Sequence, residues 1–237
     1  MTRVPAAALI ALTLLSASCS SGSSKAKEVT PTTATGTTAA NAINLKKADL
    51  PATWKSEPAD NTDNNSPDST SKKLATCMGL PADDTKDVVD LNSDSFSVGA
   101  PPQSTQVSSE VEILASQTQA DRLQRAFTGD KAEGCLKTVI AEEAKSEGGD
   151  TPGLTYGTPT VTKKAVPSGV QGGFAFDITI PVTAQGVTIN AVFSVVGFFV
   201  KHTEVTLQTV LVGPAASDYD QNALLNKLVE RTKASAV

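Results

Sequence analysis

Few residues of this 237-residue chain have the types and spacing that chemistry demands. Cysteines stand at 19, 77 and 135, and His202 is the sole histidine. One imidazole and no Cys-x-x-Cys pair cannot complete a zinc site. A nucleophile needing a histidine base would have to borrow His202 from the polar corner Lys201-His202-Thr203, which reads as a solvent-facing turn. Adjacent acids occur at Asp83-Asp84 and Glu142-Glu143, but such pairs on a polar face are ordinarily solvated rather than split between acid and base roles. Asp60, Asp63, Asn65 and Asp68 offer calcium-type oxygens without the central glycine and closing glutamate of an EF-hand loop. Ser69-Thr70-Ser71-Lys72 matches Ser-x-x-Lys, yet no Lys-Thr-Gly follows and no helical pattern surrounds it. There is no phosphate-cradling glycine loop and no nucleophile elbow. The expectation is therefore no catalytic residue, no metal site, no cofactor and no enzyme activity; a hydrolase without a recognisable motif is the alternative.

The N-terminus carries a clearer message. Arg3 followed by the apolar Val4 to Leu15 and the small residues Ser16, Ala17 and Ser18 reads as a signal peptide over residues 1–18. With Cys19 this resembles the lipobox of bacterial lipoproteins, in which the cysteine is diacylated and becomes the new N-terminus; Leu15 sits one place early for that pattern. The resemblance implies lipidation of Cys19, with two or three acyl chains giving a lasting membrane anchor, and simple secretion as the other outcome. Residues 19–42 then contain Ser, Thr, Ala and Gly with hardly a large apolar side chain, so they are expected to be a disordered tether with a reach of about 25 Å. Residues 43–237 are expected to form a single domain. A net charge of −5 leaves no electrostatic footprint for nucleic acid.

Removing Cys19 from the count leaves an even pair, Cys77 and Cys135, in an oxidising compartment. Cys135 lies on the apolar face of a helix with Ala132, Leu136, Val139 and Ile140. A Cys77–Cys135 disulfide would close a loop of about 58 residues and contribute about 4 kcal/mol in the chain-entropy model.

The elements that must hold these residues are dominated by Phe174 to Val212. Phe174, Phe176, Ile178, Ile180 and Val182 alternate with a mixed face, Ala184-Gln185-Gly186 makes a hairpin connection, and Val187 to Val200 is apolar on both sides. A third run has Val205, Leu207, Thr209 and Leu211 on one face and Glu204, Thr206, Gln208 and Val210 on the other. This is an antiparallel meander whose middle strand is covered on both faces. Val107 to Ala115 reads as a half-buried strand with Ser108, Glu110 and Glu112 on its polar side. Ser116 caps a helix ending near Gly129, and another follows to carry Cys135. Thr158 to Ala165 is a weak strand, and Ser217 with Asp220 caps a final helix containing Leu224, Leu225, Leu228 and Val229. The fold class is α+β, an antiparallel sheet covered by helices.

Ala48-Asp49-Leu50-Pro51 with Trp54, Cys77-Met78-Gly79-Leu80-Pro81, Phe96 with Val107-Ser108-Ser109-Glu110-Val111, and Cys135 are similar to actinobacterial cell-envelope lipoproteins of unknown function. The element order is also similar to secreted PsbP-like lipoprotein domains, which implies an antiparallel sheet between helices and no agreed activity. The functional expectation is a monomeric, non-catalytic binding or accessory module, anchored outside the cytoplasm and engaging an envelope protein. The alternative is a carrier or sensor of an apolar ligand contacting Phe193, Phe198 and Phe199.

Overall fold

The computed structural model describes residues 30–59, 61, 69–100, 103–148, 154–167, 169–170 and 172–236. The elements in chain order are α1 (Thr33–Ile43), β1 (Lys55–Glu57), α2 (Ser69–Met78), β2 (Val89–Asn92), β3 (Ser95–Ala100), β4 (Gln103–Ile113), α3 (Gln117–Thr128) and α4 (Lys131–Gly148). They continue as β5 (Leu154–Tyr156), β6 (Thr160–Lys163), β7 (Phe174–Ala184), β8 (Val187–Val200), β9 (Thr203–Val212) and α5 (Gln221–Ser235).

The three long alternating runs form the meander β7-β8-β9, and β9 continues the sheet onto β4 in the strand order β1-β3-β4-β9-β8-β7-β5. All pairings are antiparallel. The β7–β8 hairpin turns on Gln185 and Gly186, with φ of 53° and 78°, the backbone that lets a two-residue turn follow the strand twist. Because β9 occupies one edge of β4 along Ser104 to Ile113, β3 and then β2 share its other edge.

Alternation loads both faces. On one, α1 and α5 place Ala39, Ala40, Ile43, Leu224, Leu225 and Leu228 against Val107, Val111, Val196, Phe198, Val205 and Leu207. On the other, α2, α3 and α4 place Leu74, Leu123, Phe127, Leu136 and Ile140 against Phe174, Phe176, Ile178, Ile180 and Val195. The α+β class and the two-sided cover of β8 thus follow the hydrophobic pattern. Cys77 of α2 is joined to Cys135 of α4 by a disulfide of S–S length 2.05 Å, as the thiol count predicts.

Three expectations are corrected. The stretch 19–42 is not a disordered tether throughout, because Thr33–Ile43 is helical and buries Gly36, Ala39, Ala40 and Ile43; residues 19–29 lie outside the described residues. The reason is geometric: a helix of small residues gains its burial by close approach. A Cβ on Gly36 would stand 2.8 Å from Val89 Cγ2, so α1 sits almost on the sheet. Its end is fastened by Ser109, whose Oγ donates to Asn44 Oδ1 at 2.7 Å and accepts from Leu45 N at 2.9 Å. Ser69-Thr70-Ser71-Lys72 does open a helix, α2, whose apolar residues Leu74 and Ala75 the short sequence window did not reveal. In α5 the cap is Asp220 itself, whose Oδ1 accepts from Ala223 N at 3.0 Å.

Asp49 clamps α5 to the segment after α1: Arg231 donates through two nitrogens to its carboxylate at 2.7 and 2.6 Å, and Arg231 also reaches the Asn44 carbonyl. Burial is the largest single influence on Asp49 and works against its charge, but the Arg231 hydrogen bond, the Lys46 backbone donor and the charges of Arg231 and Lys227 together outweigh it and hold the carboxyl below its usual range.

Ile43→Ala is expected to cost about 2–5 kcal/mol, as for a buried side chain losing its packing. Denaturant unfolding measures this directly. A change within about 0.5 kcal/mol would mean that Ile43 behaves as an exposed tether residue.

Candidate functional site

The candidate site arises from the same alternation that builds the core. Strand β4 turns Val107, Ser109, Val111 and Ile113 to the α1/α5 face, which obliges Ser108, Glu110 and Glu112 to point the opposite way. Strand β9 does likewise with Glu204, Thr206 and Gln208. In the register, Asp90 lies opposite Glu112, Glu112 opposite Glu204, and Glu204 opposite Phe199. One row across four strands therefore reads Asp90, Glu112, Glu204, Phe199, and directly opposite residues share a face. The neighbouring row reads Asn92, Glu110, Thr206, Gly197.

These acids are not solvated. Glu110 and Glu112 are 2% exposed and Glu204 1%, while Asp87 and Asp90 are half-buried. On the β8 side an aromatic wall closes the row. The Phe174 ring lies over Gly197, where a Cβ would meet it at 2.2 Å, and Phe174 stacks on Phe127 of α3 with centroids 4.6 Å apart and lies 6.3 Å from Phe199. Gln119 of α3, fully buried, accepts from Ala115 N at 3.0 Å and donates to the Lys86 carbonyl at 3.3 Å. That amide ties the segment bearing Asp87 to the start of α3. Carboxylate oxygens of Asp87, Asp90 and Glu112 consequently all lie within 4.8 Å of one another.

Burial of five carboxyls has a direct electrostatic result. It pushes Asp90 up to about 6, against a hydrogen bond with Glu110 that pulls it down. It pushes Glu204 up to about 8, opposed by a hydrogen bond with Glu112 and assisted by the charge of Asp90. Asp87, Glu110 and Glu112 rise well above the usual range, burial first and neighbouring carboxylates second. Gln208 donates to Glu110 Oε2 at 3.1 Å. In the fully ionised cluster no donor among the described residues reaches either oxygen of Glu204; a protonated Glu112 can. The row is therefore a set of coupled carboxyls whose charged forms burial disfavours.

Sequence reasoning missed this site. The alternation puts Glu110 and Glu112 on the polar side of a half-buried strand and Glu204 on the face opposite Val205 and Leu207, and the readable signal of their burial is the helical cover expected on both faces of the sheet. His202 was read as a solvent-facing turn residue and is instead 7% exposed, because the corner at Lys201 folds it against β4, where its carbonyl accepts from Leu114 N at 2.7 Å. Among the acid pairs, Asp84 is buried in an ion pair with Arg122, and Glu142 and Glu143 hold Lys73 at 3.5 and 2.9 Å. Phe198 lies in the α1/α5 core, whereas Phe193 and Phe199 border the opposite one, so the three rings do not converge on one spot. Cys19 and Asp60, Asp63, Asn65 and Asp68 lie outside the described residues.

No family model and no curated protein matches the sequence. Among solved structures, the chain is matched to LpqN, involved in cell envelope biogenesis of Mycobacterium tuberculosis, at 9% identity and a TM-score of 0.30, over 78% of this chain and 76% of that one. No helix among the described residues is long and apolar enough to cross a membrane.

The raised carboxyls stabilise the fold only while protonated. Unfolded acids release their protons near pH 4, so this contribution is complete below that point and is lost as pH rises through about 6 for Asp90 and about 8 for Glu204. Each pH unit over which one such proton is retained only by the folded state costs about 1.4 kcal/mol. In metal-free buffer the unfolding midpoint is expected to fall between about pH 5 and pH 9, and Glu204→Gln to flatten the upper part of that decline. A midpoint that is flat, or that rises over this interval, would contradict the assigned protonation.

Proposed function

We propose that this chain is a non-catalytic binding or accessory module of the cell envelope, held at the outer side of the cytoplasmic membrane by a lipidated Cys19. The observation that carries the reading is the use of the thiols. Cys77 and Cys135 form a disulfide between α2 and α4, a bond that suits an oxidising compartment, and the third cysteine stands at the end of a lipobox-like segment. The described domain begins with α1 at Thr33, which leaves about fourteen residues between anchor and domain, a typical reach of about 20 Å for a flexible chain. A module so held works close to the bilayer. Its recognition of an envelope protein is part of the same proposal; an apolar-ligand carrier has less support, since Phe198 is sequestered on the face opposite Phe199.

Fractionation of cells expressing the full chain tests the anchor. The wild type is expected in the membrane fraction with acyl chains on Cys19 by intact mass and a two-hydrogen deficit for the disulfide. Cys19→Ala is expected to abolish acylation and release from the membrane any chain that is processed. A soluble wild type carrying no acyl mass would overturn the lipoprotein reading. Cross-linking in intact membranes tests the binding role; failure to recover any reproducible partner in that experiment would contradict it while leaving the anchor intact.

A further inference from the structure

We propose that Asp87, Asp90 and Glu112 form a binding site for one hard divalent cation, calcium in the first instance, with the buried Glu204 carboxylate beside Glu112 and the half-buried Asp87 and Asp90 toward solvent.

Two independent observations converge on it. The first is spacing: oxygens bound to one Ca²⁺ at about 2.4 Å cannot stand more than about 4.8 Å apart, and those of Asp87, Asp90 and Glu112 lie within 4.8 Å of one another. The second is the unsatisfied buried oxygen. Glu204 is 1% exposed, sits opposite Glu112 on the same sheet face, and has neither carboxylate oxygen partnered by a fixed donor. Glu112 Oε2, Asp87 Oδ1 and Asp90 Oδ1 are in the same condition. Buried polar atoms ordinarily find partners, and unsatisfied carboxylate oxygens beside one another on a sheet face are what a cation would complete.

The donor chemistry narrows the ion. Every candidate ligand is a carboxylate oxygen, which favours hard ions over thiolate- and imidazole-seeking ones. Calcium accepts six to eight oxygens in irregular geometry, whereas magnesium demands a near-ideal octahedron and keeps its waters, so a buried row of side chains on strands suits calcium better. Entry is compatible with the burial gradient, since Asp87 and Asp90 are half-buried while Glu112 and Glu204 lie beneath.

Binding must compete with protons. A cation held by these carboxylates displaces the protons they carry, and those protons leave to solvent. Around the site stand further charged or titratable groups: Glu110 in the next row, Lys86 beside Asp87, His202 two residues before Glu204, and the Asp84–Arg122 pair linking the segment before β2 to α3. Affinity is consequently expected to strengthen with pH, because protons and the cation compete for the same carboxylate oxygens.

The test is calorimetric titration of the full chain, freed of metal by a chelator, with CaCl₂ at about pH 7.5 in two buffers of different ionisation enthalpy, alongside thermal unfolding. One ion per chain, a buffer-dependent heat reporting proton release, and a raised unfolding midpoint are expected, with affinity in the range of about 10⁻⁴–10⁻³ M or tighter. Glu112→Gln and Asp87→Asn should each abolish saturable binding, whereas Glu143→Gln, on the α4 surface beside Lys73, should leave it unchanged. If Glu112→Gln fails to fold, the half-buried Asp87 variant decides. Saturable binding of Mn²⁺ or Mg²⁺ in place of Ca²⁺ with the same variant pattern would support the site and change the ion. No saturable heat with any of the three up to about 10 mM, or binding that survives both substitutions, would overturn the proposal.

Discussion

The ten-residue register between β4 and β9 is the constraint on which the remainder depends. It seats Val107, Ser109, Val111 and Ile113 beside Thr209, Leu207, Val205 and Thr203, and that pairing forms the floor against which α1 and α5 dock. Because side chains alternate strictly along a strand, the same register brings Glu112 opposite Glu204 on the reverse face. A slip by one residue would turn the apolar floor away from α1 and α5 and bring the carboxyls against those helices instead. The acid row is thus inseparable from the core: neither can be moved without moving the other.

Burying that row is costly, and the fold meets the cost by keeping protons. Burial and mutual repulsion raise all five carboxyls, which favours a proton wherever two bare carboxylates would repel. An array of this kind carries information about its surroundings, since pH and cations act on it through the same oxygens. Occupancy by a cation would remove the alkaline weakness of the fold and couple ion concentration to the rigidity of β2 and the Asp87 segment. In the cell-envelope setting proposed above, such coupling would make binding competence conditional on the ionic surroundings.

Much of the scaffold is legible in the sequence, and the reason is periodicity. The bounds of β8, the Gln185-Gly186 turn, the Ser116 cap of α3 and the Cys77–Cys135 bond each follow from local rules that tertiary contacts did not override. Three things were hidden. The short strands β2 and β3 have no alternation strong enough to stand out, and they exist because the free edge of β4 needs partners. Helix α1 was mistaken for spacer because small residues look like tether composition; only the approach of Gly36 to Val89 reveals that smallness is what admits the helix. The acid row was hidden by the assumption that glutamates on an alternating strand face water. That assumption fails when helices cover both faces, a conclusion the apolar pattern of β8 already contained.

The measurement closest to the central claim is a ¹³C NMR titration of the side-chain carboxyls of Asp87, Asp90, Glu110, Glu112 and Glu204 in the metal-free folded protein. The account predicts midpoints displaced upward, about 6 for Asp90 and about 8 for Glu204, with coupled curves for the paired groups. Five independent titrations near the ordinary value of about 4 would contradict it, because carboxyls that ionise so easily are neither buried nor sharing protons.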